Sequence, residues 1–509
     1  MMSEMVQLNQ RFKRRPLTPD EAADEPQAQW PPETDPMMTE PLSYKDPYGA
    51  ADRFRQNLTD DRGRDTLRLW RGDYYIWTAT HYRTISTDNL TKRLYEFLRK
   101  SVVAIADKDA TGKPTYKLVR YVPDQTKVTK ILHALRGLVL VDDHTEAPTW
   151  LDEIGPHPAK EYVACENGLL HLPTRELINH TPEFFNVNAL GFDYDPGAEA
   201  PQWLGFLRSL WPDDADSIDT LQEWFGYNVS GRTEQEKALL LIGPKRGGKG
   251  TILNALEALL GKENTAAPTL TSLRGEFGMQ PLIGKSIALI TDARLDLTQQ
   301  QTVLIERLLR IIADDTIQIN RKNREEWIGK LHIRLTVAAN EVPKMVDTSE
   351  AIVSRWIALQ LTKSFEGTAQ DKTLKRRLLT ELPGILNWAL DGLPGLSERG
   401  EFLIPMSARA IMERLSDMAS NTKRFGEECC DFGTAHWVNR EEIFAYWTLW
   451  CSDEGLHPGS KEEFGRKLEA AFPPVRAHRP RKVEDRPRGF CGLRMKAEVS
   501  SRWSTKTTG

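Results

Sequence analysis

Up to about residue 65 the chain has little periodic apolar pattern and is rich in acidic side chains and proline (Pro16, Pro19, Pro26, Pro31, Pro32, Pro36), which predicts a disordered arm. Order is expected from Leu67, where LRLWRGDYYIWTATHYRTIS alternates aromatic and polar residues as a short hairpin does. An amphipathic segment from Asn89 to Ala106 and a helical pattern in TKVTKILHALRGLV follow. Between Asn167 and Pro196, short apolar runs are punctuated by Pro, Asn and Asp, as in a small strand-and-turn module. From Trp203 to about Gly400 apolar strands alternate with helices, the signature of an α/β layer sandwich. Beyond Glu401 the pattern is mainly helical and ends in a basic turn and a short strand, GFCGLRM. The chain thus divides into an arm (1–65), an α+β module (66–200), an α/β core (201–400) and a C-terminal domain (401–509), with no internal repeat.

Composition narrows the class without choosing it. A chain of 509 residues exceeds one hydrophobic core, and 40% hydrophobic with 28% charged residues excludes collagen, coiled coil and wholesale disorder. A formal net charge of -4 means that any nucleic acid must be held by local basic patches. Cys165, Cys429, Cys430, Cys451 and Cys491 lack CxxC spacing, which points to a reducing compartment and no cysteine metal cluster. The start, MMSEMVQLNQRFKRRP, has no apolar signal core, and no apolar run reaches the ~18 residues of a membrane span, so a cytoplasmic protein without a membrane partner is expected. The RFKRR run, Arg11 to Arg15, reads more readily as solvated charge than as a DNA contact.

The strongest chemical signal is KALLLIGPKRGGKGTILNALEALLG: an apolar run suited to a buried parallel strand, a glycine-rich turn, then a helical pattern. Gly243, Pro244, Lys245, Arg246, Gly247, Gly248 and Lys249 match GxxxxGK in the context where that motif has physical meaning. Glycines let the backbone curl so that amides face phosphates, the helix start adds its positive dipole end, and Lys249 supplies a point charge for the β and γ phosphates. Gly250 stands where a Ser or Thr normally holds Mg2+, so Thr251, one position later, is the candidate metal ligand. A nine-residue match between strand and helix favours ATP binding well above a chance loop.

Downstream, SIALITDARLD gives a second buried strand ending in Asp292, a carboxylate placed to hold Mg2+ and polarise the attacking water; Asp296 reads as solvated. A third strand, HIRLTVAAN, ends at Asn340, whose amide can orient water toward a γ phosphate or simply form a turn. Arg355 follows a probable helix, in reach of a neighbouring subunit's nucleotide. Between these strands, TIQINRKNREEWIGKLHIRL reads as a hairpin tipped by Arg321, Lys322, Asn323 and Arg324; a phosphate grip in a central pore and plain solvated charge fit it equally. At the C-terminus, a helix carrying Ile443, Trp447 and Trp450 precedes SKEEFGRKLEAAF, in which Ser460 and Glu463 have capping-box spacing. Helix, helix, basic turn and strand is the pattern of a winged helix. Lys461, Arg466, Arg481 and Lys482 are its candidate phosphate contacts, and the two tryptophans read as core.

In this order, NGLLHL with DYDP, WFGY, GKGT, SIALITDAR, the basic hairpin and VAANEVP resemble the superfamily 3 helicases, specifically the helicase portion of the phage and plasmid primase/helicase family that includes poxvirus-type nucleoside triphosphatases. The resemblance implies a P-loop ATPase core of the AAA+ class, assembled as a homo-hexameric ring that unwinds DNA on a phage or mobile element replicating in a bacterial host. It further implies that Lys249 and Asp292 bind ATP and Mg2+, that Asn340 is the sensor, that Lys322 belongs to the pore hairpin and that Arg355 acts in trans. Single-stranded and forked DNA are the expected partners, with a separate primase or origin-binding protein, because no paired-carboxylate strand motif for priming is found. Two rivals remain: a nucleotide kinase-like phosphotransferase, since GKGT also occurs there, and an ATP-regulated origin-binding protein that never unwinds DNA.

Overall fold

The computed structural model describes residues 41–151, 155–291, 301–342, 351–366, 373–454, 456–478 and 488–499. These fall into two compact units, one of residues up to 171 with 176–189, the other of 172–175 with 190–509. Among the described residues no helix is long and apolar enough to cross a membrane.

The first unit begins earlier than the sequence pattern suggests. Helix α1 (Pro47–Gln56) is started by Asp46, whose carboxylate accepts from the Gly49 amide, and by Pro47 in the first turn. It buries Ala50, Ala51 and Phe54, so an arm extending to residue 65 is not what residues 41–65 form. Three buried apolar residues in a short helix give too weak a period to read against a proline-rich background. The expected hairpin is a three-stranded antiparallel meander of β1 (Leu67–Trp70), β2 (Asp73–Trp77) and β3 (Tyr82–Ile85). The amphipathic segment splits at Ser101, whose extended backbone ends α2 (Thr87–Lys100). The β-branched run after it becomes β4 (Val102–Lys108), paired with β5 (Pro114–Arg120). Leu90, Leu94 and Leu98 of α2 lock with Val128, Ile131 and Leu135 of α3 (Gln125–Leu138) into one core. Beyond them, β6 (Thr149–Trp150) pairs with β10 (Phe184–Phe185), and β7 (Tyr162–Cys165), β8 (Gly168–His171) and β9 (Leu177–Ile178) form the strand-and-turn module.

The second unit is built on a five-stranded, all-parallel sheet in the order β12 (Thr265–Ala266), β13 (Ile287–Ile290), β16 (Arg334–Ala339), β11 (Ala238–Ile242), β17 (Trp356–Gln360). Every residue of β11, β13 and β16 is buried, which is what unbroken apolar runs such as ALLLI mean in a sheet covered on both faces. Between β13 and β16 the chain forms α7 (Gln301–Ile312) and the antiparallel hairpin β14 (Ile317–Ile319) with β15 (Trp327–Gly329).

Helices α4 (Pro201–Leu210) and α5 (Ala215–Ser230) precede β11, and α5 carries the WFGY motif as a packing device. A Cβ on Gly226 would lie 2.3 Å from the Ala389 carbonyl of α8 (Leu382–Asp391), so only glycine allows that helix approach. The fully buried Trp224 donates its indole N–H to Thr336 Oγ1 of β16 at 3.0 Å. Arg334, at the start of β16, donates to the His332 and Asn228 carbonyls at 2.9 and 2.8 Å, and burial pulls its guanidinium down to about 10. Trp224→Phe leaves the Thr336 hydroxyl buried without its donor and should destabilise the second unit by roughly 1–3 kcal/mol, read as a lower midpoint in urea.

Helix α9 (Met406–Ala419) places Ala408, Ile411 and Leu415 in the core of this sheet, so the tail packs as its own cluster only from about Ser420 and not from residue 401. That cluster runs α10 (Asn421–Cys429), β18 (Cys430–Asn439), α11 (Arg440–Asp453), α12 (Lys461–Ala471), β19 (Arg476–His478), β20 (Gly489–Met495), with strand order β18-β20-β19. Trp447 and Trp450 are core residues, stacked at 5.4 Å, their indoles donating to the Pro458 carbonyl and the Glu428 carboxylate. All five cysteines are free.

Candidate nucleotide site and nucleic-acid surfaces

In a parallel sheet ligands collect at the carboxyl ends of the strands, where connections leave in opposite directions. Here that point is the end of β11, whose chain crosses to the β12 edge while β17 lies on the other side. Ile242 pairs with Ala339 and Gln360, so the glycine loop after β11 is level with Asn340 after β16. The register therefore brings together two residues about 90 positions apart in sequence.

The loop from Gly243 to Gly248 curls back against the irregular segment 361–366 that follows β17. Leu361 donates its amide to the Ile242 carbonyl at 2.7 Å, and Phe365 donates to the Arg246 carbonyl at 3.1 Å. A Cβ on Gly243 would stand 2.4 Å from the Leu361 carbonyl, and one on Gly247 would stand 2.9 Å from that of Pro244. Gly248 caps α6 (Lys249–Leu260) at φ 95°, where a side chain would also meet Leu210. These glycines make a close-packed backbone cradle in which Pro244 is half-buried and Lys245, Arg246 and Gly250 face solvent. The Lys249 ammonium points into the curl, donating to the Gly243 and Pro244 carbonyls at 2.6 and 2.8 Å and to Asn340 Oδ1 at 3.1 Å. Thr251 lies half-buried in the first turn of α6. Arg246 makes an exposed ion pair with Glu366 at 3.1 Å. Asp292, and Asp296 with it, lie outside the described residues; β13, which leads to them, ends at Ile290 beside Val337.

Arg355 is not part of this cluster. Its carbonyl accepts from the Ala238 amide at the amino end of β11, and its guanidinium is paired with Glu236. At ~3.3 Å per strand residue, that is roughly 13 Å of strand away from the loop on the same chain.

The hairpin has the tip read from sequence. Lys322, Asn323 and Arg324 are exposed and Arg321 is half-buried, donating through Nε to the Glu325 carbonyl at 2.8 Å. Asn323 takes the left-handed conformation at φ 58°, and the Lys322 amide is tied to Gln280 Oε1 at 3.1 Å. Ile317, Ile319 and Trp327 anchor its other face in the sheet's core.

In the tail, Ser460 caps α12 by accepting from the Glu463 amide. Arg466 is exposed on this helix, while Lys461 is paired with Glu441 and so is partly neutralised. Arg481 and Lys482 lie outside the described residues. Sequence reasoning missed Arg440 and Arg488, which with Arg466 and His478 line a cleft of about 390 Å³ between α12 and β19–β20, alongside Glu462 and Glu469. No spacing in the sequence signals this cleft, because its arginines come from three separate elements.

Comparison with known proteins adds two family matches. Residues 52–212 match a family described as D5 N terminal like, and residues 241–355 match a family of unknown function (DUF5906), a span that runs from β11 to Arg355. The DNA primase-polymerase of Nitratiruptor phage NrS-1 is 24% identical over 157 residues, 30% of this chain and 22% of that protein. The chain therefore aligns with about a fifth of that relative's length. Two apo structures of the NrS-1 C-terminal region align at TM-scores of 0.45 and 0.44, with 14% and 15% identity, covering 85% of this chain and 87% and 88% of theirs. The similarities in sequence support a relationship to the phage primase-helicase family, carried by the D5 N terminal like match and by the phage relative.

Proposed function

We propose that this chain is the ATP-driven DNA helicase of a phage- or plasmid-type replication system, working in the bacterial cytoplasm as a homo-hexameric ring on single-stranded and forked DNA. Its second unit is a P-loop ATPase core of the AAA+ class, and its tail is a winged helix. The observation that carries the reading is the meeting of Lys249 Nζ with Asn340 Oδ1, 3.1 Å apart, at the carboxyl ends of adjacent parallel strands. A lysine charge and a water-orienting amide at one strand edge are what triphosphate hydrolysis needs. The phage relative supports the replication setting.

Gly243, Gly247 and Gly248 pack so closely on Leu361, Pro244 and Leu210 that side chains there are excluded, and a backbone curled in this way would offer its amides to a triphosphate. Lys249 offsets charge on the β and γ phosphates, and Asn340 orients water toward the γ phosphorus. The water oxygen bonds to phosphorus as the bond to the β-phosphate oxygen breaks, giving ADP, inorganic phosphate and a proton. Thr251, in the first turn of α6, fits as a hydroxyl ligand for Mg2+, with Asp292 as the second candidate; the ion supplies further charge stabilisation when bound. Arg355, at the far end of the sheet from its own loop, is suited to a neighbour's nucleotide. The hairpin tip and the α12 cleft would grip DNA phosphates. An exposed basic hairpin between β13 and β16 favours a motor over a nucleotide kinase, which needs no such tip.

Subunit sharing is tested by mixing. Increasing amounts of Arg355→Ala protein added to wild type should depress ATP hydrolysis more steeply than the wild-type fraction falls. Activity strictly proportional to that fraction contradicts a shared site.

A further inference from the structure

Within the first unit, the strand-and-turn module gathers two imidazoles and a carboxylate. We infer that His157, Glu161 and His171 form a binding site for a divalent transition metal of the Zn2+ class. One potential ligand atom from each lies within 4.8 Å of the others. The backbone presents them together for local reasons. His171 ends β8 directly opposite Tyr162, the first residue of β7, and Glu161 is the residue before it. Glu161 closes a single 3₁₀ turn in which its amide donates to the Pro158 carbonyl at 2.9 Å. His157 sits between Pro156 and Pro158, its carbonyl held by the Trp150 indole at 3.0 Å.

The donor set fits the metal class. Imidazole nitrogens with one carboxylate suit Zn2+ and its neighbours, whereas Mg2+ and Ca2+ prefer all-oxygen shells. Tetrahedral bonds of ~2.1 Å separate ligand atoms by about 3.4 Å. His171 Nε2 and Glu161 Oε2 stand 2.9 Å apart, so a slight outward turn of the partly exposed carboxylate admits an ion. The His157 ring lies parallel to that of His171 at 3.9 Å, and a turn of this half-buried imidazole brings in the third ligand. His171 is only 2% exposed, whereas Glu161 and His157 open toward solvent, giving an entry path and room for a water as fourth ligand. Bound metal would staple the 155–158 segment to the β7–β8 hairpin.

The test uses the untagged full-length chain, stripped with a chelator and titrated with Zn2+ by calorimetry and with Co2+ by visible absorption. One equivalent per chain is expected, with the d–d bands of tetrahedral Co2+ and retention in excess Mg2+. His157→Ala and Glu161→Gln change partly exposed side chains and should keep the wild-type circular dichroism while weakening binding roughly a hundredfold. Failure to take up one equivalent, or uptake that both variants leave unchanged, overturns the assignment.

Discussion

Lys249→Ala is expected to lower ATP hydrolysis by roughly 10²–10³-fold or more, the loss found when one preorganised charge-stabilising donor is removed from a reacting centre. The ammonium is held inside the loop by two carbonyls and Asn340, so alanine removes the positive charge without moving the strands that carry it. Far-ultraviolet circular dichroism and urea midpoint should therefore stay near wild type while turnover collapses. Asn340→Ala should lose less, because an amide that orients water contributes through geometry and not through net charge. A Lys249→Ala protein that still hydrolyses ATP within about threefold of wild type, under 1 kcal/mol by the rate relation, would place the chemistry elsewhere.

The second large effect separates hydrolysis from movement. Lys322→Ala should leave basal hydrolysis within about twofold of wild type, since Lys322 is exposed and the hairpin is anchored in the sheet's core through Ile317, Ile319 and Trp327. It should nevertheless abolish DNA-stimulated hydrolysis and unwinding. Each lost phosphate contact should also flatten the salt dependence of single-strand binding by roughly 0.7 in log–log slope. Pairing Lys322→Ala with Arg324→Ala should add to the loss if both residues track the backbone. Equal loss of basal and DNA-stimulated hydrolysis in the single variant would show that the tip holds the ATPase fold together instead of gripping DNA.

How much of this was legible in the chain depends on the range of the interaction. The β11 run and the loop after it could be read directly, because a strand buried on both faces must be continuously apolar and a loop curled this tightly must be glycine-rich. The hairpin was equally clear, its turn marked by the polar basic run from Arg321 to Arg324 and its strands by alternation. Trp447 and Trp450 were correctly placed in the core by helical spacing. Less was visible where a local signal was short or ambiguous. Asp46 and Pro47 start α1, yet proline-rich, acidic neighbours hid a helix whose stability comes from packing on α3. The run Ser101–Ala106 continues an amphipathic count, so only its β-branched residues hinted at a strand. Strand order, the meeting of Lys249 with Asn340, and the cleft of Arg440, Arg466 and Arg488 are products of long-range packing that no window along the chain contains.

The decisive measurement is strand displacement on a forked duplex by the purified full-length protein, with and without ATP and Mg2+, paired with the particle's mass on the same DNA. A multi-subunit ring that releases the displaced strand only when ATP is supplied is the expected result. Strand release that is identical without ATP, or a protein that hydrolyses ATP yet remains a monomer on the fork, would contradict the motor reading.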